Sequence, residues 1–222
     1  MNHPDSTQAV RQAMSSLCPD GVCVQIAMAS AAYEAIGDEF AHIEKAVEHR
    51  RNEFVTGRHC LRSAMAELDY PAQAILPDSD GVPQLPDSVL GSISHSRGLC
   101  LAIAAKSADY SYLAVDVEKT NRLSIAARKR VVHPVEAEWC AENQLRASVL
   151  FSMKEAFYKA QFPSTRLSGN FQDLALVVND STQCATVHSV SDTFREALGQ
   201  SVVSFQFRYC LVGDYVVSLC YY

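Results

Sequence analysis

The sequence predicts an α+β fold in which helices are followed by strands in both halves of the chain. Apolar side chains recur at helical spacing over residues 40–68, and runs with strand composition follow from residue 89. In the second half the segment 145–162, "LRASVLFSMKEAFYKAQF", has the pattern of one long helix, and three or four strand-like runs come after it. Because no sequence repeat accompanies this order, the prediction concerns the architecture alone.

Composition restricts the class of protein. With 222 residues, 48% of them hydrophobic and 20% charged, the chain can form one compact unit or two closely packed halves. Its net charge of −6 argues against a nucleic-acid-binding protein, which needs a basic surface. The start, "MNHPDSTQAVRQAMSSL", lacks the features of a secretory signal, and no window suits a membrane span, so we expect a cytoplasmic protein. The eight cysteines form no CxxC pair and are expected to be reduced core residues.

Strand and turn signals divide the rest of the first half. A helix through about Ser16 and a strand, "VCVQIAMA", come first. The stretch of residues 40–68 is one helix, or two with a break near Glu48. After a proline-rich connection, three neighbouring strands are predicted: "VLGSIS", "LCLAIAAK" and "SYLAVDVE".

The second half continues with a basic segment, residues 122–130, which we interpret as a linker. A short helix then begins at His133 and Pro134, and Pro163 is expected to end the long helix because proline lacks a backbone N–H. The strands predicted after it are "DLALVV", "CATVHSV", "VVSFQFRYC" and "DYVVSLCYY".

Two carboxylates interrupt an apolar strand at "LAVDVEKT", residues 113–120. Asp116 and Glu118 are two residues apart, so on a strand they share one face at a separation of roughly 7 Å. Burying two anions so close together is costly unless a cation compensates them, and hard oxygen ligands suit Mg²⁺. The alternative is that the strand reaches the surface at Asp116 and leaves both acids in solvent.

The long helix supplies a further acid and a base. Glu155 and Lys159 are four residues apart and therefore lie on one face of the helix. Two structural alternatives remain open. In the first, Glu155 and Lys159 form a surface ion pair, which contributes only about 0.3–0.5 kcal/mol. In the second, Glu155 forms a capping box with Ser152.

A third region is basic. In "RRNEFVTGRHCLRSAM", Arg51, Arg58 and Arg62 align along one helical stripe that suits phosphate binding. Gly57 weakens this helix unless another group must approach its backbone closely. The alternative is a solvent-exposed face whose charge is balanced by neighbouring acids.

Ser94 and His95 lie at the end of the strand that begins with "VLGSIS", and both side chains can donate to a phosphate. A lone histidine at a strand end is more often structural, so this interpretation depends on the other motifs. The run "GSISHS" is not a serine-hydrolase elbow, because His95 stands where that motif needs glycine.

Taken together, these motifs resemble the 4′-phosphopantetheinyl transferases, in particular the enterobactin-synthetase-component-D-like branch of the surfactin-type group. The resemblance is carried by "RRNEFVTGRHCLR", "GSISHS", "LAVDVE" and "FSMKEAFYKA", which cover about residues 50–165. The pair of V-D-V-E and F-S-x-K-E-x-x-Y-K in this order is far more specific than any single motif.

The resemblance implies that family's fold: two similar α+β halves related by a pseudo-two-fold axis, here residues 1–112 and 113–222, with coenzyme A in the cleft between them. It also implies that Asp116, Glu118 and Glu155 bind Mg²⁺. The residues implied to contact coenzyme A are Arg51, Arg58, Ser94, His95, Asp116 and Lys159.

The implied reaction is the Mg²⁺-dependent transfer of 4′-phosphopantetheine from coenzyme A to a serine of an apo acyl or peptidyl carrier protein, with release of 3′,5′-ADP. The implied catalytic residues are Asp116, Glu118, Glu155 and Lys159. We hypothesise that Glu155 takes the serine proton, directly or through a water, while the other two acids position the metal. By family analogy the protein is a monomer, and its carrier docks on the segment 161–171.

The enterobactin-type resemblance favours a carrier from secondary metabolism, such as a siderophore or other nonribosomal peptide synthetase, although polyketide and fatty-acid synthases also fit. Three residues depart from the family pattern: Val82 replaces a frequent Lys or Arg, Leu85 a tryptophan and Ala114 a glycine. The first two leave the adenine-side contacts open. Two other classes remain compatible with the sequence: a non-catalytic partner-binding protein, and another Mg²⁺-dependent nucleotide phosphotransferase or hydrolase.

Overall fold

Two antiparallel sheets, each with a long helix packed against it, organise the chain. A computed structural model describes residues 4–222, and the chain divides into one unit that ends at Val115 and a second that spans Asp116–Tyr222. Both units combine helices with antiparallel strands, which confirms the predicted α+β class. No helix in the described residues is long and apolar enough to cross a membrane.

The first unit places one long helix on a three-stranded sheet. Its elements are α1 (Pro4–Leu17), β1 (Cys23–Met28), a 3₁₀ helix (Gly37–His42), α2 (Glu48–Ala66), β2 (Val89–Ser96) and β3 (Leu99–Lys106). The sheet has the antiparallel order β1-β3-β2, and α2 lies against all three strands. Leu61 and Met65 of α2 are buried in this core together with Ile75 from the connection to β2.

The second unit builds a five-stranded sheet. Its strands are β4 (Leu113–Lys119), which begins in the first unit, β5 (Leu174–Asn179), β6 (Cys184–Val190), β7 (Gln206–Val212) and β8 (Tyr215–Tyr221). Its helices are α3 (Ile125–Val131), α4 (Ala137–Cys140), α5 (Gln144–Thr165) and α6 (Asp192–Leu198), with 3₁₀ helices at Pro134–Glu136, Phe171–Asp173 and Gly199–Ser204. The strand order is β4-β8-β7-β6-β5, and α5 packs on β8 and β7.

Several boundaries agree with the sequence. The predicted break near Glu48 is confirmed, because α2 begins at that residue after Val47 in extended conformation. The strands predicted before Asp116 and Glu118 in the sequence, and those predicted after them, are present. The described cysteines are all free thiols, four of them buried and four half-buried.

Two helices were missed. The basic segment 122–130, interpreted as a linker, contains most of α3, whose first turn is capped by Ser124 through a bond from the Ala127 N–H at 3.2 Å. The strand expected from Val202 begins only at Gln206, and residues 192–204 are helical. In this segment Phe194, Leu198 and Val202 are buried, whereas the adjacent Val203 is 63% exposed.

Pro163 does not end α5, so that prediction is wrong. The helix continues to Thr165, because proline in the last turn removes only its own N–H bond to the Lys159 carbonyl. Arg166 ends the helix with a left-handed φ of 57°, and its N–H donates to the Phe162 carbonyl at 2.9 Å.

A buried glutamate ties together three segments of the first unit. Glu39 is 0% exposed. One of its carboxylate oxygens accepts the Ile36 N–H at 2.9 Å, and the other accepts the Ile75 N–H at 2.7 Å. Arg62 of α2 donates to the second oxygen at 2.5 Å. Because both oxygens are bonded and the charge is neutralised, the cost of burial is offset.

The same arrangement recurs in the second unit with different residues. Glu136 accepts the N–H groups of His133 and Leu176 at 2.7 and 2.8 Å, and Lys154 of α5 donates to it at 2.8 Å. Lys154 is fully buried and also donates to two backbone carbonyls. Burial lowers the pKa of Lys154 below its ordinary value, and Glu136 opposes that shift.

Each unit therefore holds its long helix in the same way. An acid in a 3₁₀ helix accepts a basic side chain of the long helix and a backbone N–H of the segment that follows it. The pairs are Glu39 with Arg62 and Glu136 with Lys154. The two units share this construction although their sequences show no repeat.

Replacing Lys154 with Met should destabilise the protein by about 3–5 kcal/mol, because Glu136 would remain buried without its cation. Urea unfolding followed by circular dichroism measures this loss. The double variant Lys154→Met, Glu136→Gln should recover part of the stability, since it also removes the uncompensated charge. No recovery in the double variant would contradict this explanation.

Candidate active site

Asp116 and Glu118 are withdrawn from solvent on β4. The side chain of Asp116 is 4% exposed and that of Glu118 is 16% exposed. Being two residues apart on a strand, they share one face of the sheet. The alternative that the strand reaches the surface at Asp116 is therefore wrong.

Helix α5 brings the second acid and the base to these residues. The ammonium group of Lys159 lies 2.6 Å from Oδ1 of Asp116, so this helix face contacts β4. The capping-box alternative is excluded, because α5 is capped at Asn143 and Ser152 lies in its middle. Lys159 is 31% exposed and Asp116 is almost fully buried, so the lysine side chain extends from near the surface to a buried carboxylate.

Glu155 lies within electrostatic range of both strand acids. Burial raises its pKa above the ordinary value, and Asp116 and Glu118 raise it further by repulsion. Lys159 and Arg122 act in the opposite direction. The structure therefore brings the three predicted carboxylates and the predicted lysine together within the second unit.

Arg122 is a charged neighbour that the sequence analysis left in the linker. Its Nε lies 3.5 Å from Oε2 of Glu118, and its guanidinium carbon lies 6.0 Å from the ring centroid of Phe151. The side chain is 57% exposed. Its spacing of four residues from Glu118 was visible in the sequence, but the turn that brings the two together was not.

The donor set of the three acids fits Mg²⁺, because the ion takes oxygen ligands and relieves repulsion between carboxylates. In the described chain no group of three or more His, Cys, Asp or Glu side chains is already arranged around one metal position. Asp116 is paired with Lys159 and Glu118 with Arg122. Metal binding to the three acids would therefore place an ion beside carboxylates that already have a cationic partner.

His95 contacts α2 in the first unit. Its Nε2 lies 2.6 Å from Nη1 of Arg50, and its Nδ1 lies 3.4 Å from Oε2 of Glu53. Because arginine only donates hydrogen bonds, Nε2 must accept, which assigns the neutral ring with its proton on Nδ1. The residue beside His95 is thus Arg50, whereas the sequence analysis selected Arg51.

Ser94 and His95 point to opposite faces of β2. Ser94 is 3% exposed, on the face that also buries Ser92 and Ser96, whereas the side chain of His95 is 32% exposed. The close approach expected at Gly57 is present on the His95 face. A Cβ at Gly57 would lie 2.8 Å from Cγ2 of Ile93, so glycine allows α2 to pack tightly against β2.

The three predicted arginines of α2 have different environments. Arg51 is exposed. Arg58 is buried, donates to the Ile75 carbonyl at 2.7 Å and lies over the Phe54 ring, and burial lowers its pKa to about 10. Arg62 is bound to the buried acid described above. The stripe is therefore neither one phosphate-binding face nor a solvent-exposed one.

The three residues that depart from the family pattern lie at defined positions in the first unit. Ala114 is fully buried within β4. Leu85 packs against the core under α2, and its Cδ1 would lie 2.8 Å from a Cβ at Gly91. The N–H of Val82 donates to Asp78 at 2.9 Å, so Val82 belongs to a tight turn.

Comparisons with known proteins agree with these features. The 4′-phosphopantetheinyl transferase N-terminal domain matches residues 38–105, and the 4′-phosphopantetheinyl transferase superfamily matches residues 112–220. The second match contains β4 and α5 and therefore Asp116, Glu118 and Glu155.

Three relatives are described as 4′-phosphopantetheinyl transferases. Npt of Nocardia iowensis is 30% identical over 81% of this chain and 86% of its own length. Svp of Streptomyces mobaraensis is 36% identical over 64% of this chain, and PptT of Mycobacterium tuberculosis is 33% identical over 65%. The matched segments span 60% of Svp and 66% of PptT, less than two thirds of either.

A solved holo-ACP synthase from Plasmodium yoelii aligns over 50% of this chain and 93% of its own, with 16% identity and a TM-score of 0.39. The two family matches and the curated relatives define the class of protein as group-transferring enzymes. The chain belongs to the 4′-phosphopantetheinyl transferase family.

Replacing Glu155 with Gln should stabilise the metal-free protein at neutral pH. The folded-state pKa of Glu155 is raised above its ordinary 4.5, so ionising this group costs folding free energy that appears as the pH rises through 4.5. Thermal unfolding in EDTA from about pH 4 to 8 should show that the stability of the variant, relative to that of the wild type, increases as the pH rises. A difference that stays constant across this range would contradict the raised pKa.

Proposed function

We propose that this protein transfers the 4′-phosphopantetheine group from coenzyme A to a serine of an apo acyl or peptidyl carrier protein and releases 3′,5′-ADP. Membership of the family supports the type of reaction. The observation that carries the proposal is the convergence of three carboxylates with Lys159 within the second unit. Phosphoryl transfer depends on such clustered charges to hold and neutralise the transferred group.

Asp116, Glu118 and Glu155 would hold Mg²⁺ in this proposal. Their oxygens are the ligands this ion prefers, and Asp116 and Glu118 both disfavour the charged form of Glu155 when no divalent cation compensates them. When bound, the ion polarises the phosphoryl oxygens and neutralises charge that develops on them.

Glu155 is the proposed general base. It takes the serine proton directly or through a water. The serine oxygen bonds to the β-phosphorus of coenzyme A, its proton moves to Glu155, and the bond from that phosphorus to the bridging oxygen breaks. The electron pair of that bond leaves on 3′,5′-ADP. Lys159, held beside Asp116, stabilises negative charge on the phosphoryl oxygens.

The first unit is proposed to contribute phosphate contacts through the exposed Arg51 and the half-buried His95, whereas Arg58 and Ser94 are buried and are left out of this set. To these we add Arg50. It is more than half exposed, carries a permanent charge and touches His95, so its guanidinium can donate to a phosphate beside that residue.

The carrier is proposed to dock on the segment 161–171, which is anchored to α5. The buried Gln161 donates to the Leu167 carbonyl at 2.9 Å, and the Tyr158 hydroxyl donates to the Asn170 carbonyl at 2.6 Å. Gly169 packs so closely on Phe194 that an added Cβ would lie 2.6 Å from its ring. These contacts support a fixed surface rather than a mobile loop.

A carrier of secondary metabolism, such as a siderophore or other nonribosomal peptide synthetase, is the proposed substrate because the motifs are of the enterobactin type. Relative rates with apo carriers from nonribosomal peptide, polyketide and fatty-acid synthases test this choice. A preference for the fatty-acid carrier would contradict it.

Replacing Arg50 with Gln should raise the KM for coenzyme A by about 3- to 10-fold, because one charged donor to phosphate is lost. Arg51→Gln is the comparison variant, since it removes the same charge one residue further along α2 and should have the smaller effect because Arg50 is the one that contacts His95. A larger effect at Arg51 than at Arg50 would favour the choice made from the sequence alone.

The central test is the mass of an apo carrier after incubation with the purified chain, coenzyme A and Mg²⁺. We expect the added mass of phosphopantetheine and an equal amount of 3′,5′-ADP. Glu155→Gln should lower the rate by about 10²-fold or more while coenzyme A still binds. Asp116→Ala should instead raise the Mg²⁺ concentration needed for half-maximal rate.

The outcomes separate the rival functions. An unmodified carrier that nevertheless binds the chain would indicate a non-catalytic partner protein. Release of nucleotide without a carrier would indicate another phosphotransferase or hydrolase. An unchanged rate in Glu155→Gln would remove that residue from the role of base.

A further inference from the structure

Arg122 occupies a position between the two elements that carry the acids. Its guanidinium contacts Glu118 of β4 at 3.5 Å and lies 6.0 Å from the ring centroid of Phe151 on α5. The backbone holds it there, because the Arg122 N–H donates to the Lys119 carbonyl at 3.0 Å and the Thr120 N–H donates to the Asp214 carbonyl at 2.9 Å.

The contact with Glu118 uses an oxygen of a carboxylate that the proposed metal site needs. A guanidinium and a divalent cation both seek carboxylate oxygens, and two cations at one carboxylate repel each other. Arginine keeps its charge at every pH at which the protein is folded, so deprotonation cannot end the competition. Only movement of the Arg122 side chain can end it.

Such movement costs little free energy. Arg122 is 57% exposed, and an exposed ion pair of this kind contributes at most about 1 kcal/mol, so it yields to a more strongly bound ion. Lys159 differs, because its 2.6 Å contact is with the nearly buried Asp116. Arg122 is therefore the cation that can leave the site at least cost.

We propose that Arg122 competes with the divalent cation for Glu118 and thereby sets the metal concentration at which the site fills. In the metal-free protein it neutralises Glu118; when the metal binds, its guanidinium swings away from the carboxylate toward solvent. Arg122 is thus a positioning residue that acts through Glu118. This inference rests on the proposed function, since it assumes that the three acids bind a divalent cation.

Direct binding of Mn²⁺ to the purified full chain, without coenzyme A or carrier, tests the inference. Electron paramagnetic resonance of free Mn²⁺ gives the Kd. Arg122→Gln should bind about two- to fivefold more tightly than the wild type. Arg122→Lys keeps the charge and should stay closer to the wild type than Arg122→Gln does.

Arg130→Gln is the matched control, because it removes the same charge from an exposed position at the other end of the same segment. Its Kd should remain close to that of the wild type. An equal tightening in Arg130→Gln and Arg122→Gln would show a general effect of net charge and would overturn the inference. An unchanged or weaker Kd in Arg122→Gln would also overturn it.

The rate gives a second readout. The Mg²⁺ concentration for half-maximal rate should fall in Arg122→Gln by the same factor as the Kd. A higher KM for coenzyme A with unchanged metal affinity would assign Arg122 to the substrate phosphates and overturn the competition. A wild type that binds no Mn²⁺ would overturn both this inference and the proposed metal site, whereas binding without a shift in Arg122→Gln overturns this inference alone.

Discussion

The ion pair between Lys159 and the buried Asp116 is the interaction on which the site depends. A carboxylate with 4% of its side chain exposed is costly unless a cation compensates it, and the 2.6 Å contact supplies that cation from α5. The same contact brings one face of α5 against β4. Glu155, one turn earlier on that face, is thereby placed within range of both strand acids.

The orientation of α5 is determined from its other side. Lys154 and Glu155 are adjacent in the sequence and therefore about 100° apart around the helix. Lys154 is fully buried against Glu136, so Glu155 is turned away from that pair and toward the strand acids. The first unit uses Glu39 and Arg62 in the same way to hold α2, from which Arg50 reaches His95.

The strand acids of the second unit are compensated by two cations that differ in solvent exposure. Lys159 binds at the floor of the site and Arg122 at its exposed rim. Burial, and then repulsion from Asp116 and Glu118, raise the pKa of Glu155, and the two cations limit that rise. The proposed metal ion would add a further positive charge to this partly compensated cluster.

The sequence by itself determined which residues share a face. The two-residue spacing of Asp116 and Glu118 and the four-residue spacing of Glu155 and Lys159 follow from the periods of strand and helix, and Gly57 signalled a close approach. Only the tertiary structure decided that Arg62 pairs with a buried acid, that Arg50 rather than Arg51 reaches His95, and that Arg122 meets Glu118. The physical reason is that a periodic pattern specifies the direction of a side chain within its own element, whereas burial and ionic partners depend on which other element packs against it.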